Sequence, residues 1–285
     1  MRFLKLSVIL LFATSLSYAQ ATYFVAHVKG DIAVKSTGTP IKVGDQLGSE
    51  DELLFKSADA RAVVITSQGT RMLLQHQQAA ESVRGENEFL SFVKDALLPM
   101  KENIQLSTRG GFDAGMDYRK VTNFEKFFGV DKYVIIGEEL TLGADASKYP
   151  INEMRRFIYR YETEQRPVNK KIQYSGNNLI INKDALYKTK GERINPGSAL
   201  PVDIIYFDFD KNQAMQLASF EPVFVDEETL LLELKSVATF LESNNIMSQS
   251  KIREELFDFV QEVHGPINRN VFNDWLSGKE IFTKG

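Results

Sequence analysis

The string Ile204-Ile205-Tyr206-Phe207-Asp208-Phe209-Asp210-Lys211-Asn212 holds the residues most suggestive of chemistry. Two carboxylates close a run of β-favouring apolar residues. Such groups act as acid, base or ligand only where they converge in a pocket with a second acidic or basic group. A calcium loop fails here, because Gln213 stands where the tight turn needs glycine and Ser219 where a bidentate glutamate is needed. The simplest reading is a strand-end turn capped by short polar side chains. Histidine chemistry finds even less support. His27, His76 and His264 have no second ligand at metal-site spacing, and His76 in Gln75-His76-Gln77-Gln78 reads as a surface loop. No Gly-x-Ser-x-Gly elbow occurs, so no nucleophilic serine stands out. The adjacent pairs Glu138-Glu139 and Glu254-Glu255 point apart on a strand and share no helical face, which makes them poor acid/base couples. A carboxylate pair assembled from distant strands leaves no mark in one sequence.

The Asp208-x-Asp210 string resembles two known families. Haloacid-dehalogenase phosphatases open with an apolar strand ending in Asp-x-Asp, where the resemblance would make the first aspartate nucleophile and the second acid/base beside magnesium. That family has Thr or Val where Asn212 stands, and its alternating βα pattern is missing here. The string also looks like the opening strand of OmpA-like peptidoglycan-binding domains. Those continue to a Gly-His-Thr-Asp-type motif, whereas the only later histidine here lies in Val263-His264-Gly265-Pro266.

The elements that carry these residues begin with short strands. Tyr23 to Val28 and Ile32 to Val34 flank a Gly30-Asp31 turn, a hairpin signal. Strands follow in Thr39–Leu47, Glu52–Phe55, Ala62–Thr66 and Met72–Leu74, most of them set off by a glycine turn. Val28-Lys29-Gly30-Asp31-Ile32-Ala33-Val34, then Ile41-Lys42-Val43-Gly44-Asp45-Gln46-Leu47, then Ala60-Arg61-Ala62-Val63-Val64-Ile65-Thr66-Ser67-Gln68-Gly69-Thr70-Arg71-Met72-Leu73-Leu74 resemble a FecR-type β-domain over about residues 22–110. The resemblance implies an exported β-domain that binds envelope components. It carries over no catalytic residue and no sigma-factor control, since the family's cytoplasmic segment and membrane helix have no counterpart. Glu88 to Leu98 places Phe89, Phe92, Val93 and Ala96 at helical spacing before Pro99, which predicts a short helix. Thr108–Gly115 is glycine-rich but lacks a phosphate-loop lysine, so a linker or hinge is expected.

The middle of the chain predicts more strands. Tyr133–Gly137 is one. Phe157, Tyr159 and Tyr161 alternate with Ile158, Arg160 and Glu162. Lys171–Tyr174, Ser175-Gly176-Asn177-Asn178 and Leu179–Ile181 form a strong hairpin signal. Leu186–Lys188, Val202–Phe209, Gln216–Phe220 and Pro222–Val225 complete a sandwich of immunoglobulin-like size. The last sixty residues are helical. Asp226 is a good N-cap for a helix with Leu230, Leu234, Val237 and Leu241 on one face. A second helix starts near Ser250 and stops at Gly265-Pro266, and a third joins Val271, Phe272, Trp275 and Leu276 before Gly278.

At the N-terminus Arg2 and Lys5 precede an apolar run, Leu6 to Leu16, and then Ser17-Tyr18-Ala19. That order reads as a secretory signal peptide cleaved after Ala19. The run is shorter than the ~20 residues of a membrane helix. The 285 residues are 43% hydrophobic and contain no cysteine, which excludes wholesale disorder, disulfides, thiolate metal sites and cysteine nucleophiles. Export without cysteine suits a bacterial periplasm or cell surface. The formal net charge is −4 but is unevenly spread. Arg155–Arg193 holds ten basic and four acidic residues, Asp226–Gly285 six basic and eleven acidic. The basic residues are scattered over some forty positions, so solvated strands account for them as well as an anionic partner does.

The combined expectation is a mainly β protein with a C-terminal α-helical part: signal peptide 1–19, FecR-like domain 20–115, linker 116–130, β-sandwich-like domain 131–225 and helical segment 226–285. Its expected work is non-enzymatic binding or scaffolding in the cell envelope. The expected partner is an envelope protein, or polysaccharide or peptidoglycan; nucleic acid, a membrane span after signal cleavage and a cofactor are not expected. Arg155, Arg156, Lys170, Lys171 and Trp275 are the candidate binding residues. The alternative is an envelope hydrolase, phosphatase- or glycosidase-like, built on Asp208 and Asp210.

Overall fold

The computed structural model describes residues 21–76, 89–100, 112–129, 131–163, 166–189, 192–193 and 201–281. The expected signal peptide and residues 108–111 of the glycine-rich loop lie outside them. The fold is mainly β with helices at the C-terminal end. The chain divides into two compact units, Met1–Pro99 and Met100–Gly285.

The first unit contains β1 (Thr22–Lys29), β2 (Ile32–Val34), β3 (Gln46–Gly48), β4 (Glu52–Phe55), β5 (Arg61–Thr66), β6 (Arg71–Gln75), β7 (Phe89–Phe92), the single turn α1 (Val93–Ala96) and β8 (Leu97–Pro99). They form a five-stranded sheet, β3-β1-β5-β6-β8, and a three-stranded one, β2-β4-β7. Val25, Leu47, Val64 and Leu74 of the first sheet share a core with Ile32, Leu53 and Phe55 of the second. The helix expected over 88–98 is replaced by strand, one turn and strand. Phe89 pairs with Phe55 and Leu97 with Leu74, so each edge gains ladder bonds that a helix would leave unmade. Only Val93 and Ala96 of the expected stripe are buried. His76 follows β6 outside any strand, as expected, but is half-buried rather than fully in water. Its ring stacks on Phe89 at 4.2 Å, and burial pushes its pKa below the ordinary 6.5.

The second unit begins with α2 (Phe124–Phe128), followed by β9 (Lys132–Ile136), β10 (Glu139–Gly143), β11 (Arg155–Glu162), β12 (Pro167–Lys171), β13 (Gln173–Ser175) and β14 (Asn178–Asn182). Then come α3 (Lys183–Tyr187), β15 (Lys188–Thr189), β16 (Glu192–Arg193), β17 (Val202–Asp208) and β18 (Gln213–Val225). The helices α4 (Glu227–Ser243), α5 (Gln249–Val263) and α6 (Arg269–Ser277) end it. A five-stranded sheet, β12-β11-β17-β18-β9, and a three-stranded one, β10-β14-β13, enclose one core. Tyr133, Phe157, Tyr159, Tyr161 and Phe220 come from the large sheet, and Leu140, Leu142, Leu179 and Ile181 from the small one.

Three local expectations are corrected here. Residues 116–130, expected as linker, carry α2, whose Phe124, Phe127 and Phe128 are buried in that core; Phe128 stacks on Phe220 at 4.1 Å. Of the strand expected over Leu186–Lys188 only Lys188 is in one, opening β15; Leu186 and Tyr187 belong to α3, where Asn182 accepts from the Ala185 N–H and starts a helical turn. The two strands expected over 216–225 are one. β18 pairs antiparallel with β17 up to Phe220 and parallel with β9 from Glu221, so Pro222 sits where the strand changes partners.

Candidate functional site

Alternation along β11 and β17 sorts their side chains onto two faces. Phe157, Tyr159 and Tyr161 pair with Tyr206, Ile204 and Val202, and all six are buried in the core. Arg156, Ile158 and Arg160 pair with Phe207, Ile205 and Asp203 on the other face, and none of these six is buried. β12 adds Lys171, opposite Ile158, and Asn169, opposite Arg160. β18 adds Ala214, opposite Phe207, and Gln216, opposite Ile205. The result is a grid of partly exposed side chains: an apolar strip of Ile158, Ile205 and Phe207 flanked by cations, amides and the Asp203 carboxylate, which accepts from Gln216 Nε2 at 3.0 Å.

Phe209 extends the strip beyond β17. It is 41% exposed and is held in register by its N–H, which donates to the Met154 carbonyl at 2.8 Å. Phe207 and Phe209 meet edge to face at 4.4 Å. The Arg156 guanidinium lies 4.1 Å from the Phe209 ring centroid, a cation–π contact. One of its terminal nitrogens donates to the Glu153 carbonyl at 3.2 Å. Among the described residues no carboxylate pairs with Arg156 or Lys171, whereas Arg160 is paired with Glu162 at 3.2 Å.

Asp208 lies on the core side and is only 8% exposed. Its carboxylate accepts from Arg155 Nε at 2.9 Å and from the Lys211 N–H at 3.3 Å. Asp210 lies 3.8 Å from the same guanidinium. Burial pushes the Asp208 pKa upward, but the Arg155 and Lys211 bonds and charges outweigh it and hold the carboxyl below its ordinary 3.8. Such a group is ionised and hydrogen-bonded to Arg155 and Lys211. A general acid needs the opposite shift.

The five candidate binding residues therefore divide. Arg156 and Lys171 share the open face. Arg155 is committed to Asp208 and Asp210. Lys170 pairs with Tyr159 and donates to the Lys188 carbonyl. Trp275 is half-buried, and its indole N–H donates to Glu227 Oε1 at 3.1 Å, where Lys279 also binds. It ties α6 to the first turn of α4. His264 has a neighbour far off in sequence: its Nε2 lies 2.8 Å from Oε2 of Glu233, itself only 1% exposed. Ile158, Ile205, Phe207 and Phe209 were not singled out from the sequence. For Ile205, Phe207 and Phe209 the signal was the apolar character of both alternating sets in 202–209, which reads as a strand buried on both faces.

No protein-family model matches the chain, and no curated protein matches it.

Proposed function

We propose that this chain is an exported, non-enzymatic envelope protein that works as a binding or scaffolding module, and that the open face of the β12-β11-β17-β18-β9 sheet meets its partner. One observation carries the second half: Phe209 is 41% exposed, with Arg156 stacked on it. A contiguous apolar strip left in solvent between cations marks interaction surfaces rather than ordinary surface. The engagement of Asp208 by Arg155 favours binding over hydrolysis. Export is supported by the Arg2–Ala19 pattern and by the absence of cysteine.

The test is a crosslinked pull-down of the tagged protein from intact cells after fractionation, with protein and glycan identification. The protein is expected in the envelope fraction with a stoichiometric partner. Its recovery in the cytoplasm, or capture of nothing, would contradict the reading.

A further inference from the structure

Resting on that reading, we infer that the open sheet face binds a linear anionic polysaccharide, with sugar rings on Phe207 and Phe209 and acid groups at Arg156 and Lys171. Charge complementarity points to an acidic polymer. The chain as a whole is acidic at −4, yet Arg156 and Lys171 stand on this face without a carboxylate partner among the described residues. Lys171 is opposite Ile158, two residues along from Arg156, so the two residues are diagonal neighbours on the sheet, with the Lys171 ammonium 5.0 Å from the Tyr174 ring centroid. Arginine grips a carboxylate or phosphate through two parallel N–H bonds, and lysine adds a point charge.

The kind of polymer follows from the rest of the face. β11 and β17 are paired on both sides, so their backbone offers no free edge for a peptide strand to join. A sugar suits it better. Its C–H surface lies against aromatic rings, while the Asn169 amide, set beside the strip, offers donor and acceptor to hydroxyls, and Gln216, whose Nε2 donates to Asp203 at 3.0 Å, offers its carbonyl oxygen.

The test is calorimetric titration of the full chain at low salt with polygalacturonate, with dextran and poly-L-glutamate as comparison probes. Polygalacturonate is expected to bind, dextran not, and poly-L-glutamate at least about tenfold more weakly. Phe209→Ala and Arg156→Ala are each expected to raise the polygalacturonate Kd about tenfold. Both residues are off the core, and circular dichroism checks that the variants fold. Phe92→Ala, another exposed phenylalanine but in the first unit, is expected to bind as the parent does. No binding of polygalacturonate, undiminished binding by the two variants, or equally tight binding of poly-L-glutamate would each overturn the inference. Envelope capture with the same variants separates the two proposals. If they lose capture while polygalacturonate fails to bind, the binding face stands and the polysaccharide falls. If they keep capture, the face falls too.

Discussion

Arg155 and Asp208 show what a single pair decides. Asp208 stood out in the sequence as a candidate nucleophile or acid, but its partner lies fifty-three positions away, and only the β11–β17 register brings the two together. The pair makes a pH prediction. A carboxyl whose folded pKa lies below its ordinary 3.8 contributes stability above that value and loses it as the pH falls through the folded pKa. Asp208→Asn should therefore lower Tm at neutral pH, and the gap to the parent should close below about 3.8. A gap that persists unchanged in acid would show that the carboxylate charge is not what matters. Among the core tyrosines, Tyr159 and Tyr187 share a hydroxyl–hydroxyl bond of 2.9 Å. Tyr187→Phe orphans a buried hydroxyl and should cost about 1–3 kcal/mol in urea unfolding. The double variant with Tyr159→Phe should recover part of that loss, because neither partner is then stranded. Sequence reasoning could not pair these residues, since aromatic alternation marks a buried face without saying which hydroxyl finds which.

Longer elements were legible where their period had room to repeat. The apolar stripes of α4 and α5, the β13–β14 hairpin and the alternation of β11 all stand in the structure as the sequence suggests. α2 did not show, because Phe124–Phe128 covers little more than one turn and cannot display a 3.6-residue period. β18 was split at Pro222, where the missing N–H reads as a break but the strand exchanges β17 for β9. Segment ends give two tests. Asn268 caps α6 by accepting from the Asn270 and Val271 N–H groups, and it donates to the Met116 carbonyl while fully buried. Asn268→Ala should destabilise by about 2–3 kcal/mol, with Asn268→Asp falling between because it keeps only the acceptor. On β10, a Cβ at Gly143 would lie 2.0 Å from the Arg119 carbonyl oxygen. Gly143→Ala should cost about 3 kcal/mol or more, since backbone must shift. Gly176 has φ +59 and open space around it, so Gly176→Ala should cost only about 1 kcal/mol. Equal losses at the two sites would contradict this account of β10.

At the scale of the molecule, the separate cores of the two units lead to a simple expectation. A chain of residues 100–285 keeps the whole aromatic core from Phe124 to Phe220 together with α4–α6, and should fold alone with a cooperative thermal transition and near-ultraviolet tyrosine signals. A molten transition would mean that this core depends on the first unit. The mainly β class and the helical C-terminal end were readable from turn residues and periodicity. The open face was not, because a sequence shows which residues alternate but not which side of a sheet is left uncovered. The overall charge misleads in the same way: an acidic chain carries a sheet face on which Arg156 and Lys171 have no carboxylate partner among the described residues. The most direct test of the binding account is co-sedimentation of the purified chain with isolated cell envelopes, comparing the parent with the Arg156→Ala/Phe209→Ala double variant across salt. The account predicts that the parent sediments, that salt weakens it as screening shortens the reach of Arg156 and Lys171, and that the double variant stays in the supernatant. Equal sedimentation of parent and double variant would contradict it.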